Sequence, residues 1–365
     1  MSFRNYASLS LALSPGTNIF YGSNAQGKTN ILEAIYLAGT TKSHRLSKDR
    51  DLIRMGDEES HIRMLIDRNG NEYRIDMHLK KNRPKGVAVG GVPVRRAADL
   101  YGIASLVFFS PEDLNIIKNG PAGRRRYLDL ILSAVDRIYL ADLVRYGKIL
   151  AQRNALLHDA ALRPERAAEL DVWDGELVST GERIIKRREA FVKQLGDMAS
   201  GKHLLLTEEK ERLRISYEPN TEADQLADKT ARNRDMDLRT KETHAGPHRD
   251  DLCVRVNGMD LRLYGSQGQQ RTAALSMKMA EIAVIESIRK DKPVLLLDDV
   301  LSELDAERRN ALLRSIRDTQ TLITCTGYDE FVRDTFHADS IFHVENGSVK
   351  KRHFSGQEDG RSKKA

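Results

Sequence analysis

Apolar and polar positions alternate in the first third of the chain, recur at intervals of three and four through the middle, and return to short apolar runs near the end. Ile19-Phe20-Tyr21 reads as a strand, and after a glycine-rich loop Ile31-Leu32-Glu33-Ala34-Ile35 reads as helix. Ile62 to Leu79 alternates around Asn69-Gly70, a two-residue hairpin signal. Val87-Ala88-Val89 and Val92-Pro93-Val94 flank Gly90-Gly91, a weaker form of that signal. Leu106-Val107-Phe108-Phe109 reads as a buried strand ending at Ser110-Pro111.

The character changes over residues 112–238, which are charged, helix-favouring and poor in turn signals. Leu128, Ile131, Leu132, Val135 and Ile138 keep helical spacing, and the run from Gly181 to Arg188 reads as a long solvated helix. No sustained heptad supports an extended coiled coil. Strand-like sequence returns with Leu252-Cys253-Val254-Arg255-Val256 and Met259-Asp260-Leu261-Arg262-Leu263 around Asn257-Gly258. A helix over about Gln269 to Arg289, the strand Val294 to Leu297, a further helix and the strand Leu322-Ile323-Thr324 follow. The expected organisation is an α/β unit from 1–111 and 239–352, a helical arm inserted at 112–238, and a polar tail at 353–365.

Composition narrows this picture only modestly. At 365 residues the chain can bury one large core or two modest ones. Its 31% charged and 6% aromatic residues suit long polar helices, and a net charge of +6 leaves any nucleic-acid affinity to local patches. No apolar run has bilayer length, and the first residues do not read as a signal peptide. Cys253 and Cys325 each sit in an apolar run, as buried thiols rather than a disulfide or metal site. A cytoplasmic protein without membrane partners is expected.

The chemistry is concentrated in Gly22-Ser23-Asn24-Ala25-Gln26-Gly27-Lys28-Thr29, the full G-x-x-x-x-G-K-[ST] pattern between a strand and a helix. Its glycines let backbone N–H groups curl around phosphate, and the helix N-terminus adds positive potential. Lys28 is placed for the β- and γ-phosphates of ATP, and the Thr29 hydroxyl for Mg2+. Val294 to Asp299 is an apolar strand ending in two carboxylates, where ligands of parallel sheets collect. Asp298 is placed to hold magnesium through water, opposite Thr29, and Asp299 to orient the attacking water.

Gly265-Ser266-Gln267-Gly268-Gln269-Gln270 opens another helix and resembles the signature motif of the ATP-binding-cassette superfamily. Taken alone it is an ordinary Ser N-cap; upstream of Asp298 by little more than one helix, it gains weight. Ser302-Glu303-Leu304-Asp305 resembles that superfamily's dimer-contacting loop. The resemblance implies an ABC-type P-loop ATPase head, with a mixed sheet, an antiparallel β subdomain and an inserted helical arm. It also implies that Ser266, Gly268 and Gln269 of one copy close over ATP held by another, in a symmetric dimer. Catalysis then falls to Asp299 and Lys28.

An ordered set of strings narrows the match within the SMC-like branch. Phe3-Arg4-Asn5-Tyr6 precedes the phosphate loop, Gln26 to Asn30 is followed by Leu32-Glu33-Ala34, and Ser43-His44-Arg45 comes later. Phe109 to Asp113, Gly123 to Asp129, Gly246 to Leu252 and Gly265 to Arg271 complete the set. Together they resemble the RecF family of bacterial recombinational repair proteins over nearly the whole chain. That resemblance implies a cytoplasmic, nucleoid-associated, weak DNA-stimulated ATPase that dimerises on ATP and binds duplex DNA near single-strand gaps. It also implies work with RecO and RecR in loading RecA, in gap repair, replication and the SOS response. Relatives usually carry a short strand before the Phe3 string, so a misassigned start or an absent edge strand is expected. Asp299 stands where the superfamily usually has Glu, and Thr324-Cys325-Thr326 where a His often senses the γ-phosphate, a Thr that RecF relatives commonly share.

Candidate DNA-phosphate contacts are Lys42, His44, Arg45, Lys48 and Arg50; Lys80, Lys81, Arg83 and Lys85; Arg124, Arg125 and Arg126; and Lys186, Arg187 and Arg188. Each run alone is more often a solvated face, and scarce aromatics favour backbone contact over base stacking. His244, His248, Asp250 and Asp251 read as a polar loop rather than a metal site, since Gly246-Pro247 breaks any shared helical face. Two other functions compete: an SMC-like ATP-gated scaffold whose partner is protein, and a transporter ATPase, which has no use for the charged arm.

Overall fold

A computed structural model of the chain describes residues 1–45, 48–68, 70–94, 100, 103–160, 163–316, 318–327 and 338–352. The expected tail at 353–365 lies outside them. Strand β1 (Thr17–Tyr21) leads through the phosphate loop into α1 (Lys28–Thr40), which stops where left-handed Thr41 donates its N–H to Leu37 O. Then come β2 (Glu59–Arg68), β3 (Asn71–Lys80), β4 (Arg83–Val89), β5 (Val92–Pro93) and β6 (Leu106–Phe109). Arg68 pairs with Asn71, as a two-residue turn requires; Asn69 itself lies outside the described residues.

The middle of the chain opens with α2 (Pro121–Val135), Pro121 occupying the first helical turn where its missing N–H costs nothing. It continues with α3 (Arg137–Ala160), α4 (Leu170–Leu206), β7 (Leu213–Glu218), α5 (Leu226–Thr240), β8 (Asp251–Val256), β9 (Met259–Asp260), α6 (Leu261–Tyr264) and α7 (Gln267–Arg289). The last part carries β10 (Val294–Asp298), α8 (Ala306–Ser315), β11 (Thr321–Cys325), β12 (Ser340–Glu345) and β13 (Ser348–Arg352).

These elements form two compact units. The first comprises residues 1–110, 294–304 and the chain from 316 onward. Its main sheet has the order β13-β12-β1-β11-β10-β6, parallel except at β13. Leu295, Leu296 and Leu297 are fully buried, which explains the unbroken apolar run. Phe20 stacks on Phe342 with centroids 4.9 Å apart, beside Leu32, Leu322 and Val344. A second, antiparallel sheet has the order β2-β3-β4-β5 and buries Met77 and Leu79 with Phe3, Leu37 and Leu52.

The second unit comprises 111–293 and 305–315. Here α4 packs along α3, α7 and β7, and a small antiparallel sheet runs β7-β8-β9. Compactness thus keeps residues 239–293 with the helices, whereas the expected division at 238 follows the change from helical to strand-like sequence. Residues 213–218, expected as helix, are strand β7, paired from Leu213↔Val256 to Glu218↔Asp251. Residues 261–263, expected as strand, are helical, because the Asp260 side chain caps the Arg262 N–H and starts a turn. Ile138 leaves the α2 stripe and is 62% exposed. The cause is Asp136, whose carboxylate caps the N–H groups of Ile138 and Tyr139 and starts a new helix out of phase. The stretch expected as a solvated helix buries Ile184, Ile185 and Arg188. Among the described residues no helix is long and apolar enough to cross a membrane.

Candidate nucleotide-binding site

The phosphate loop lies at the carboxyl ends of parallel β1, β11 and β10. A Cβ on Gly22 would fall 2.2 Å from Val344 O, and one on Gly27 (φ +110°) 2.4 Å from the Asn5 amide, so neither position admits a side chain. Lys28 is buried, and its Nζ donates to Gly22 O at 2.6 Å and Ser23 O at 2.8 Å. Burial pulls its pKa below the ordinary lysine range, opposed by the carboxylates of Asp299 and Asp298.

Strand register sets the opposite wall. Asp298 pairs with Thr324 across β10 and β11. Both Thr29 Oγ1 and Thr324 Oγ1 donate to Asp298 Oδ1, at 2.7 and 2.8 Å. The Asp299 N–H donates to Thr324 Oγ1 at 3.0 Å, and Asp299 itself adopts a left-handed φ of +53° that only tight context sustains in a non-glycine residue. Burial raises the Asp299 carboxyl above the usual range, while Lys28 pulls it back. A Thr hydroxyl beside a carboxylate is the hard oxygen donor pair that Mg2+ prefers.

Two supports of the loop come from elsewhere in the chain: one from the Phe3 string, which the sequence offers only as part of a family resemblance, and one from a turn that carries no expected role. Asn5 Nδ2 donates to Gln26 O, Asn30 Nδ2 to Asn5 Oδ1, and Tyr6 OH to Gly27 O, so the Phe3-Arg4-Asn5-Tyr6 string buttresses the loop. The Asn346 N–H donates to Gln26 Oε1 at 2.6 Å from the β12–β13 turn. Asn346-Gly347 is itself a hairpin dipeptide, a signal visible in the sequence.

Ser266, Gly268 and Gln269 belong to the second unit. Ser266 caps α7: its Oγ accepts from the Gln269 N–H at 3.2 Å, and Gln269 Oε1 accepts from the Ser266 N–H at 3.1 Å. This reciprocal capping box presents the serine hydroxyl at an exposed helix N-terminus.

The basic runs separate into two kinds. Arg124 is held by Asp251, Arg125 donates to Asp250 O, Arg187 meets Asp136 and Asp142, and Arg188 is buried against Asp129 and Asp250. Arg124 and Arg188, at 2–3% side-chain exposure, are structural cations rather than DNA contacts. Lys80, Lys81 and Lys85 pair with Glu59, Glu58 and Asp49, and His44 stacks on Phe108. Lys42, Arg45, Lys48 and Arg83 are exposed without a carboxylate partner among the described residues. In the polar loop, His248 is bonded to Tyr146 OH and Thr243 O, and His244 to Asp237.

The sequence profile described as RecF/RecN/SMC N terminal domain matches residues 1–350. The DNA replication and repair protein RecF of Agathobacter rectalis is 53% identical over 349 residues, 96% of each chain. A solved structure of the recombination mediator protein RecF with ATP, in the RecFOR pathway, has a TM-score of 0.90 at 36% identity, covering 97% of this chain and 96% of the other. The Smc head of Pyrococcus furiosus, at 17% identity and a TM-score of 0.53, shares the fold alone. With a phosphate loop, an Asp298 wall and a capped Ser266 already in place, identity at this level over nearly the full length shows that the chain belongs to the RecF family of DNA replication and repair proteins.

Proposed function

We propose that this chain is a DNA-repair ATPase that dimerises on ATP, clamps duplex DNA near single-strand gaps, and assists RecA loading with RecO and RecR. In this reading it works in the cytoplasm at the nucleoid, supporting replication and the SOS response. The observation that carries it is the convergence of Thr29 and Thr324 on Asp298 beside Lys28, a triphosphate site with a ready pair of magnesium donors. The likeness to a RecF structure with ATP supports the nucleotide, and the RecFOR setting of that structure supports the partners.

Lys28 would balance charge on the β- and γ-phosphates, Thr29 and Asp298 would hold Mg2+, which would supply charge stabilisation there, and Asp299 would orient and deprotonate the attacking water. Its raised carboxyl pKa suits a general base. Ser266, Gly268 and Gln269 complete the pocket on a second copy. A carboxylate one methylene shorter than Glu stands about 1–1.5 Å back, and misplacement by about 1 Å costs roughly 10²-fold. Turnover by the parent protein is therefore slow, as suits a timed clamp, and Asp299→Glu raises it. A parent steady-state rate that is already fast and falls in Asp299→Glu contradicts this assignment.

DNA binding is sequence-independent and uses phosphate contacts from cations such as Lys42, Arg45, Lys48 and Arg83. Duplex DNA is expected to stimulate ATP hydrolysis, and log Kd to rise linearly with log[salt] as counterions are released. Absence of stimulation together with salt-independent binding would instead point to a scaffold that acts on protein.

A further inference from the structure

The signature helix is held from behind by a residue that no motif marks. Gln269 Nε2 donates to Glu211 Oε1 at 2.9 Å, while the other carboxylate oxygen lies 3.3 Å from His203 Nε2. His203, fully buried on α4, also meets Ser276 Oγ on α7 at 2.9 Å. Glu211 is delivered by the turn that ends α4, where Glu208 and Glu209 are both left-handed at φ +49° and +63° and the Glu209 N–H returns to Leu204 O. A cavity of about 350 Å³ separates this turn from the helix, lined by Thr207, Glu211, Ser266, Gln269, Thr272 and Arg308.

We propose that Glu211 is a positioning residue for the signature: it orients the Gln269 amide, and through it the Ser266 cap that meets the triphosphate held by a second copy. This deepens the reading of Ser266 given above and rests on it. The reason is donor chemistry. An ionised carboxylate only accepts, so it turns the NH2 end of Gln269 toward itself and leaves Oε1 for the Ser266 N–H. Without that acceptor the amide is free to flip, and the cap loses one of its two reciprocal bonds. Because a single tight turn joins Glu211 to the 37-residue α4, a shift at the end of that helix would be passed to Ser266.

The test compares the full-length parent with Glu211→Ala, Gln269→Glu, the exchange pair Glu211→Gln/Gln269→Glu, and Ser266→Arg as reference. Amide hydrogen exchange at Ser266 and Gln269 in the nucleotide-free monomer reads the positioning itself. ATP-dependent dimerisation reads its consequence, and ATP affinity reads the phosphate loop. Glu211→Ala is expected to exchange faster and dimerise more weakly by about tenfold or more, as loss of a charge-assisted bond implies, with unchanged ATP affinity. Gln269→Glu sets two carboxylates against each other and dimerises at least as poorly. The exchange pair restores donor to acceptor and recovers both readouts, which a merely structural role does not explain. Unchanged exchange in Glu211→Ala, or no recovery in the pair, overturns the proposal. Ser266→Arg dimerising like the parent overturns the signature reading on which it rests.

Discussion

Lys28→Met is expected to abolish useful nucleotide binding, with ATP affinity falling at least about 100-fold while the fold survives. The lysine is the cation at the centre of the loop, its Nζ donates to Gly22 O and Ser23 O, and in the proposed complex phosphate oxygens take the place of these carbonyls. Exchanging neutral carbonyls for charged phosphate strengthens each bond about twofold, and two such contacts account for the loss. Met has similar length and no donor, so it removes the charge with little change in packing. Stability need not suffer, because burial disfavours the lysine charge. Titration with a fluorescent ATP analogue, beside a thermal melt, checks both halves. ATP affinity within a few-fold of the parent would show that Lys28 does not face the triphosphate.

Arg188→Met is expected to cost about 3–5 kcal/mol of folding stability, the usual consequence of leaving a buried charge without its partner. The guanidinium donates to Pro247 O, Asp250 Oδ2, Asp129 Oδ1 and Tyr139 OH from a side chain only 2% exposed. Asp250 is equally buried and also accepts from Tyr217 OH and the Asn220 N–H, so its carboxylate stays behind with neutral donors alone. Arg183→Met, which breaks the pair between α4 and Asp142 of α3 at 39% arginine exposure, is expected to cost no more than about 1 kcal/mol. Urea unfolding decides: the Arg188 variant lowers the midpoint strongly at unchanged slope, the Arg183 variant little. Equal midpoints would mean that Arg188 does not hold the loop from Gly246 to Asp251 in place.

The contrast between these two sites shows what the sequence discloses. The phosphate-loop pattern is legible because it is contiguous, and the role expected of each residue follows from its offset within eight positions. Asp298 is legible because an unbroken apolar strand ending in acid has few other uses. Arg188 is not, because it sits in a basic run, Lys186-Arg187-Arg188, whose composition reads as solvated. Its phase does carry the information: it shares the α4 face of Ile184, Ile185, Val192 and Leu195, all buried. Strand β7 is hidden in the sequence because its alternation lasts six residues and its neighbours are charged, while its partner strand lies some forty positions later. Glu211 is unremarkable locally and Asn346 announces only a turn; tertiary pairing alone brings one to Gln269 and the other to Gln26.

In the proposed function each copy supplies only part of a triphosphate pocket, and nucleotide joins two copies. Sedimentation velocity at saturating ATP with duplex DNA measures this on the parent, Lys28→Met and Ser266→Arg. The parent is expected to shift to a dimer, Lys28→Met to remain monomeric without bound nucleotide, and Ser266→Arg to remain monomeric with nucleotide bound. A parent that stays monomeric when saturated with ATP, or a Ser266→Arg protein that dimerises as the parent does, contradicts the claim.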